Sequence, residues 1–530
     1  MNKSSDSLQR NILALLLKAF TCLLFLKVCS TTANYYDFDL RTAALDPKAG
    51  FTISGDSGDS LGVSVGSAGD VNKDGYSDII VGVSEKNAVY VIYGGQKSSL
   101  GDLDFSSLIL DPQTTGFKVT GSAGVNFGKI VGTAGDFNND GYDDIMIATP
   151  SVNTNTGAVY VIYGGEKSSM SHLDLSATPL SPLTTGFTIT GEGVQHYFGY
   201  SISSGDINKD GYSDIVVGAY GKDSNKGAVY VIYGQEKSSM SDLDLSSVVL
   251  DPPTTGYIIT GEAAGHYFGY SVSVIGDFDK DGYLDLVIGA PQRGSGIGMA
   301  YTIYGKDKAS SSNLILTSST LSSANSIGWT GQGRTDDNFG EIVSSVGDIN
   351  GDGYDDLAII STRRDSFTGT ATVMYGKTKA SMSNHNFAGT LSLGNGFLII
   401  GKAAGSNFGS SIAAIGDINR DGYTDLIAGA PGLGEAYVVY GKSTSSRAYV
   451  YLSTALDPLS TGFVLTGNAN ESFGSSVNTA GDIDGNGFVD FIVGASAKNT
   501  DEGVAYVIHT GIIMVFLSNV SCRLWPMCKL

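Results

Sequence analysis

The sequence is poor in the residues that usually carry redox chemistry, acid–base catalysis or zinc binding. Its 530 residues include only four cysteines and five histidines. Cys522 and Cys528 near the C-terminus can form one disulfide in an oxidising compartment, and nothing suggests thiol chemistry. The histidines are scattered and build no His-Glu-x-x-His zinc motif. We therefore predict that the protein is not an enzyme.

Positive charge and long apolar runs are scarce as well. Lys and Arg number 32 against 53 Asp and Glu, and the net charge is −21. This balance argues against nucleic acid as a partner, because basic patches supply most of that affinity. The apolar runs 12–17 and 19–26 fall short of the ~18 residues that a membrane span needs. Basic residues precede them and small residues follow, so residues 1–33 predict a secretory signal peptide and an extracellular location.

What the chain does contain is a nine-residue acidic loop, repeated seven times. Each copy has oxygen-bearing side chains at positions 1, 3, 5 and 9, Gly at position 6, and a position 7 that can offer its backbone carbonyl. The first aspartates lie 65 to 71 residues apart, and such a period predicts a repeat architecture. The predicted metal ligands are Asp70, Asn72, Asp74, Tyr76 and Asp78; Asp136, Asn138, Asp140, Tyr142 and Asp144; Asp206, Asn208, Asp210, Tyr212 and Asp214; Asp277, Asp279, Asp281, Tyr283 and Asp285; Asp348, Asn350, Asp352, Tyr354 and Asp356; Asp417, Asn419, Asp421, Tyr423 and Asp425; and Asp482, Asp484, Asn486, Phe488 and Asp490.

Oxygen-only ligands in these loops favour calcium over zinc or copper. An EF-hand is excluded because position 12 of the first loop is Val81, inside a predicted strand, where that motif needs Glu. We predict up to seven Ca²⁺ ions with a structural role, each holding together a turn of carboxylates that would otherwise repel. The seventh loop, with Asn486 in place of a carboxylate, should bind calcium most weakly. The alternative is that the loops are ordinary solvated turns.

Between the loops, short apolar runs rich in β-branched and aromatic residues predict strands. Several runs are apolar throughout, which is typical of sheets covered on both faces. Four antiparallel strands per period, repeated seven times, predict an all-β fold, a seven-bladed β-propeller spanning residues 34–510. The segment 36–40 resembles Leu243-Asp244-Leu245, a predicted outer strand, so we expect this N-terminal strand to complete the seventh blade. Residues 511–530 diverge from the repeat and form a C-terminal tail.

Two further motifs flank the acidic loops. Phe-Gly precedes six of them, and Gly-Ala-Pro follows the loops that begin at Asp277 and Asp417. In this order and number the motifs resemble FG-GAP repeats, the blades of the integrin α-subunit propeller. The first blade departs with Leu61-Gly62, and every blade here has an acidic loop, whereas only later blades of integrin α-subunits do. We therefore expect an integrin-α-like propeller rather than a complete integrin α-subunit.

The resemblance implies that the metal loops lie on the lower rim and that a ligand binds at the opposite face. The candidate ligand-binding residues there are His196, Tyr197, His266, Tyr267, Arg363 and Arg364, since aromatic residues and arginine are common interface anchors. The alternative is that the tyrosines only pack between blades. We expect an extracellular protein or glycan as the ligand, with adhesion as the first hypothesis and a lectin as the second. The sequence leaves open whether the chain has a partner subunit. Two sequons, at Asn470 and Asn519, are consistent with a secreted or cell-surface glycoprotein.

Overall fold

The computed structural model describes residues 38–41, 45–317, 327–387, 391–392, 394–444 and 448–511. The predicted signal peptide, the disulfide candidates, the sequon at Asn519 and nearly all of the predicted tail lie outside these residues. The sequon at Asn470 lies within them, and its side chain is exposed on a short turn.

Seven sheets, one for each acidic loop, make up the described part of the chain. We number them as blades 1 to 7 in the order of their loops. From the inner to the outer edge, the strands are Val65–Gly69, Asp78–Val83, Ala88–Ile92, Gly116–Thr120 and Leu173–Asp174 in blade 1; Ile130–Gly135, Asp144–Thr149, Ala158–Ile162, Gly186–Thr190 and Leu243–Asp244 in blade 2; Ser201–Gly205, Asp214–Ala219, Ala228–Ile232, Gly256–Thr260 and Leu314–Ile315 in blade 3; and Ser271–Val274, Leu286–Ala290, Met299–Ile303, Gly328–Gln332 and His385–Asn386 in blade 4.

The remaining three blades repeat this arrangement. Their strands are Ile342–Gly347, Asp356–Ser361, Thr370–Met374, Gly396–Ile400 and Tyr449–Tyr451 in blade 5; Ile412–Gly416, Asp425–Ala430, Glu435–Val439, Gly462–Thr466 and Phe38–Asp39 in blade 6; and Phe473–Gly481, Asp490–Ala495, Val504–Ile508, Gly50–Ser54 and Leu103–Asp104 in blade 7. The inner strand of every blade contacts the inner strands of both neighbours, so the ring is closed. The prediction of a seven-bladed β-propeller is confirmed.

The core lies between the blades. The second strand of each blade is buried along its whole length, as its continuous apolar sequence predicts. Each apolar cluster combines side chains from two adjacent blades; one of them joins Phe187 of blade 2 to Val217 of blade 3. The phenylalanine of the Phe-Gly motif belongs to this core, and Phe198 packs edge-on against Tyr230 with ring centroids 5.3 Å apart. A blade alone would leave both of its faces in water.

Each blade has five strands in a mixed sheet, one more than predicted. The first four are antiparallel, and the fifth is a two- or three-residue strand that pairs in parallel with the fourth. In the chain, this outer strand lies between the third and fourth strands of the next blade, as Leu173–Asp174 does between two strands of blade 2. The outer strand of each sheet is therefore exchanged: it comes from the chain segment that forms the next blade.

This exchange corrects the prediction for ring closure. Phe38–Asp39 pairs with Gly462–Thr466 of blade 6 and does not complete blade 7. The strand that completes blade 7 is Gly50–Ser54, antiparallel to Val504–Ile508. Phe38–Asp39 does correspond to the other outer strands, but each of these strands pairs with the preceding blade. The N-terminal region therefore does close the ring, but through Gly50–Ser54 rather than Phe38–Asp39.

Short turns connect the strands at two rims. Single 3₁₀ turns are Ser84–Lys86, Lys97–Ser99, Lys167–Ser169, Lys237–Ser239, Lys308–Ser310, Lys379–Ser381 and Ala469–Glu471, and four-residue helical turns are Val152–Asn155, Lys222–Asn225, Arg293–Gly296, Arg364–Phe367 and Lys498–Asp501. Antiparallel order places the loop from strand one to strand two at one rim. The loops from strand two to three, and from strand four to the next blade, lie at the opposite rim.

Candidate metal and ligand sites

Every acidic loop connects the first and second strands of its blade and closes in the same way. In the first loop, Asp70 accepts the backbone N–H groups of Asp74 and Gly75 at 3.0 and 2.9 Å. The side chain at position 5 accepts the N–H of position 7 in all seven loops. Gly75 has a φ of 88°, a left-handed conformation that glycine adopts without strain. The loop thus turns the side chains of positions 1, 3 and 5 toward position 9.

The aspartate at position 9 is fully buried in all seven blades; it is the first residue of the second strand in six of them and directly precedes that strand in blade 4. In the first loop, Asp78 accepts the N–H of Val71 at 3.0 Å and that of Gly94 at 2.8 Å. Burial raises the pKa of Asp214, Asp285 and Asp425 to about 8. An ionised carboxylate at this depth is costly unless a positive charge compensates it.

The side chain at position 3 supplies the observation that best fits a cation. Among the described residues, this side chain has a buried oxygen without a hydrogen-bond partner in six of the seven loops. These oxygens are Oδ1 of Asn72, Asn138, Asn208 and Asn350 and Oδ2 of Asp279 and Asp484. Buried polar atoms almost always have partners, so an orphan repeated at one loop position calls for a ligand there. Carboxylate and amide oxygens are what Ca²⁺ prefers.

The loops also contact one another around the rim. The carbonyl of Asp70 accepts the N–H of Asp143 at 3.3 Å, and equivalent bonds join several other neighbouring loops. Lysines from the 3₁₀ turns add a second contact between blades: Lys237 of blade 3 lies 2.8 Å from Asp140 of blade 2 and 4.5 Å above the ring of Tyr163. Lys167, Lys308 and Lys379 repeat this arrangement. The acidic rim is therefore one connected belt.

In two of the loops, three aspartate or histidine side chains that could bind a metal lie close together. In loop 4, Asp277, Asp279 and Asp285 offer oxygens that all lie within 4.8 Å of one another. In loop 7, the ligand atoms of Asp484, Asp490 and His509 also all lie within 4.8 Å of one another. His509 lies just after the third strand of blade 7, and its part in this cluster was not predicted from the sequence.

At the opposite rim, three of the six predicted ligand-binding residues line one cavity of about 590 Å³, namely His196, Tyr197 and Tyr267. The Nδ1 atom of His196 is buried without a hydrogen-bond partner among the described residues. Burial lowers the pKa of His196, so its imidazole is neutral at physiological pH. The other lining residues are Val194, Gln195, Tyr220, Gly221, Asp223, Ser224 and Asn225.

The remaining three predicted residues lie apart from this lining. His266 is 4.0 Å from Glu262, which also binds the guanidinium of Arg293 at 2.9 Å. Arg363 is exposed in blade 5, whereas Arg364 next to it is buried. The structure therefore does not unite all six residues in one site.

Sequence reasoning missed the centre of the cavity, Tyr220. Its ring stacks on Tyr197 at 5.0 Å and lies 4.5 Å from Tyr200 and 5.3 Å from Tyr267. The hydroxyl of Tyr200 donates to that of Tyr270 at 2.9 Å. Burial raises the pKa of Tyr220 to about 12, so its hydroxyl remains a donor at neutral pH. A signal was present, because Tyr220 stands where Gly-Ala-Pro would place proline.

One segment matches the pattern of a catalytic serine but not its structure. Gly62-Val63-Ser64-Val65-Gly66 has the spacing Gly-x-Ser-x-Gly. A nucleophile elbow needs a strand before the serine and a helix after it. Here the segment runs directly into the strand Val65–Gly69. It therefore lacks the elbow geometry.

Comparison with known proteins agrees with this architecture. The FG-GAP repeat family matches residues 62–92, 127–162, 198–232, 268–304, 339–374 and 408–451, each of which contains one acidic loop. Integrin alpha-V of Gallus gallus is 32% identical over 240 residues, which cover 44% of this chain and 20% of the integrin. Integrin alpha-PS2 of Drosophila melanogaster is 27% identical over 276 residues, 50% of this chain and 17% of the relative. Phosphatidylinositol-glycan-specific phospholipase D of Bos taurus is 31% identical over 219 residues, 38% of this chain and 23% of the relative.

The chain thus matches only about a fifth of the length of these relatives. In the described part of the chain, no helix is long and apolar enough to cross a membrane.

Proposed function

We propose that this chain, which is an FG-GAP, integrin-α-like β-propeller, is a calcium-stabilised module that binds an extracellular protein and acts in adhesion. Its similarity to integrin α-subunits supports a ligand-binding role. The phospholipase relative shares the repeat region, so the repeats themselves do not distinguish a binding protein from part of an enzyme. In this proposal the acidic loops at one rim stabilise the fold, and the tyrosine-lined cavity at the opposite rim binds the ligand.

Calcium is the ion that we propose for the acidic loops, with up to seven sites. The observation that carries this proposal is the buried oxygen at position 3, which accepts no hydrogen bond in six of the described loops; in loops 4 and 7 it also faces Lys379 and His509, respectively. Around it lie the carboxylates of positions 1, 5 and 9 and the carbonyl of position 7. Together these groups provide five oxygens, and carboxylates that bind through both oxygens would bring the number to the six to eight that a Ca²⁺ site uses. Since the loops bond to their neighbours around the rim, each ion would stabilise the contact between two blades as well as its own turn.

The cavity around Tyr220 is the ligand site that we propose. Five tyrosines, Tyr197, Tyr200, Tyr220, Tyr267 and Tyr270, are packed together there at the boundary of blades 3 and 4. Tyrosine gives a large contact area at low entropic cost and also offers a hydroxyl, so it is favoured at protein interfaces. A lectin is the second candidate, because stacked rings and hydroxyl donors also suit a sugar.

The location that we propose is extracellular, either secreted or at the cell surface. The candidate signal peptide and the similarity to integrin α-subunits support it. A partner subunit is part of the same proposal and rests on the similarity to integrin α-subunits.

Binding to defined probes tests this function. The purified chain is applied, in calcium, to a panel of immobilised extracellular matrix proteins and to a glycan array. We expect binding to at least one matrix protein and a weakening of about tenfold or more in Tyr220→Ser, because buried aromatic anchors dominate interfaces. Tyr451→Ser is the control, since Tyr451 is 49% exposed on the outer strand of blade 5. Binding to glycans alone would replace adhesion by the lectin function, and equal binding by both variants would refute the site.

A further inference from the structure

Loop 7 differs from the other six loops by one buried side chain, His509. In blades 1 to 6 the third strand is followed by Tyr-Gly, and in blade 7 by His509-Thr510. In blade 1 the equivalent tyrosine, Tyr93, points away from the loop and donates to the carbonyl of Pro112 at 3.0 Å. The ring of His509 instead faces the loop, with Nδ1 3.2 Å from Asp490 Oδ2 and 3.5 Å from Asp484 Oδ2.

These three side chains form a compact and buried set. His509 is 1% exposed, Asp490 is 0% exposed and Asp484 is 7% exposed. Asp484 Oδ2 has no hydrogen-bond partner among the described residues, although it faces the interior of the loop. The nearest lysine, Lys97, is 3.9 Å away from it. Asp484 Oδ2 thus faces His509 and, at the limit of an ion pair, Lys97, and it accepts no hydrogen bond from the described residues that a metal would have to displace.

The separations between the ligand atoms match a small tetrahedral cation. Two atoms that bind one Zn²⁺ at about 2.0–2.2 Å with tetrahedral angles lie roughly 3.3–3.6 Å apart. The two distances from His509 Nδ1, 3.2 and 3.5 Å, are close to this range. All three ligand atoms lie within 4.8 Å of one another.

We propose that loop 7 is a mixed nitrogen–oxygen site that binds a transition-metal dication such as Zn²⁺ through Asp484, Asp490 and His509. The inference rests on the proposed function, because loop 7 is one of the seven cation loops, and it changes the metal expected there. Imidazole is a good ligand for zinc and its neighbours, whereas calcium favours oxygen. Asn486 at position 5 also favours a transition metal over calcium in loop 7, since it replaces a carboxylate that calcium would use.

Loop 4 is the internal reference for this assignment. It also has aspartate at position 3, and Asp279 Oδ2 is likewise buried, with Lys379 Nζ 3.3 Å away as its ion-pair partner. Its cluster of Asp277, Asp279 and Asp285 contains only oxygen, because Tyr304 occupies the position of His509. The two loops therefore share aspartates at positions 1, 3 and 9 and differ at position 5 and in the nitrogen ligand, so loop 4 should keep calcium where loop 7 takes zinc.

Zinc titration of the full chain in millimolar calcium tests the proposal, with a chromophoric chelator as the competitor. We expect one equivalent of Zn²⁺ to bind tightly and Co²⁺ to give the visible absorption of a tetrahedral site. His509→Tyr, which restores the residue of the other six blades, should weaken binding by at least about 100-fold, since even outer contacts of a metal contribute 10–100-fold. His172→Gln, which removes an exposed histidine in another part of the ring, should change nothing.

Asp484→Asn offers a second variant should the tyrosine disturb packing, because five loops already have asparagine at position 3. It should weaken zinc binding without a large change in melting temperature. Absence of a tight equivalent of zinc would overturn the proposal and leave His509 as a buried hydrogen-bond partner of Asp490. Equal zinc binding by His509→Tyr would overturn it as well. Calcium-dependent melting measured on the same samples shows separately whether the other loops bind calcium.

Discussion

The substitution Asp352→Asn tests the role of calcium at a single loop. Asp352 is the position-5 residue of loop 5, and its Oδ1 accepts the N–H of Tyr354 at 3.1 Å. Asparagine can keep this bond, as Asn486 of loop 7 does with Phe488 at 2.8 Å. The variant therefore preserves the turn and removes one negative charge, so that only the affinity for a cation should change.

The expected effect is small but differs in sign between two conditions. A 10- to 100-fold loss of calcium affinity at one saturated site costs about 1.4–2.7 kcal/mol. Unfolding a propeller of roughly 470 residues has an entropy of about 1 kcal/mol/K, so the melting temperature should fall by about 1–3 °C in calcium. In excess chelator it should stay unchanged or rise, because Asp352 also repels the buried Asp356.

Removing calcium from the unmodified protein with a chelator measures the total stabilisation by calcium, with which the effect of Asp352→Asn is compared. If each site contributes about 2.7 kcal/mol at a calcium concentration 100 times its Kd, six sites together contribute about 16 kcal/mol and raise the melting temperature by more than about 10 °C. Differential scanning calorimetry in calcium and in chelator measures both effects, with Glu85→Gln as an exposed control. An equal loss in both conditions would mean that Asp352 supports only the turn. No shift on chelation would refute the calcium sites altogether.

Two further predictions concern the rest of the ring. Ile53 in the closing strand and Ile189 in the equivalent strand of blade 2 are both fully buried. Changing either residue to alanine should therefore lower the free energy of unfolding, measured in denaturant, by about 2–4 kcal/mol. A much smaller loss for Ile53→Ala would mean that the closing strand is frayed. Burial opposes the hydrogen bonds from Lys222 and Tyr230, but these outweigh it and lower the pKa of Glu192. Its stabilisation is therefore present above the unfolded pKa of about 4.5 and lost as the pH falls through the lowered value. The stability difference from Glu192→Gln should shrink below pH 4.5 in urea titrations, and a constant difference would contradict the ion pair.

The acidic loops and the propeller could be predicted because their signals are local and periodic. Each loop contains its own oxygens within nine residues, and the apolar second strand follows at once. The fifth strand of each blade has a short recurring motif, but that motif does not indicate which blade the strand joins. A pair such as Leu173–Asp174 is too short to indicate its partner, and parallel pairing with the preceding blade depends on the whole ring. For the same reason the closing strand was assigned to the wrong segment.

The residues that sequence reasoning missed come together only in three dimensions. His509 is 19 residues along the chain from Asp490, and the antiparallel pairing of the two strands brings them into contact. Tyr220 meets Tyr267 from the next blade, so neither residue alone predicts a cavity. Arg364 shows the opposite error, because it lies in a loop at the right rim and yet is buried.

The distance between the two rims limits how calcium can act on a ligand. Strands of five or six residues at about 3.3 Å per residue separate the metal loops from the tyrosine cavity by roughly 16–20 Å. Charges at that separation are screened over about 8 Å in physiological salt, and no loop oxygen can reach a ligand at Tyr220. Calcium should therefore affect binding only by keeping the ring folded, so the calcium dependence of ligand binding should follow that of folding measured on the same sample. Binding that requires more calcium than folding does would place an ion at the ligand face and contradict this division between the rims.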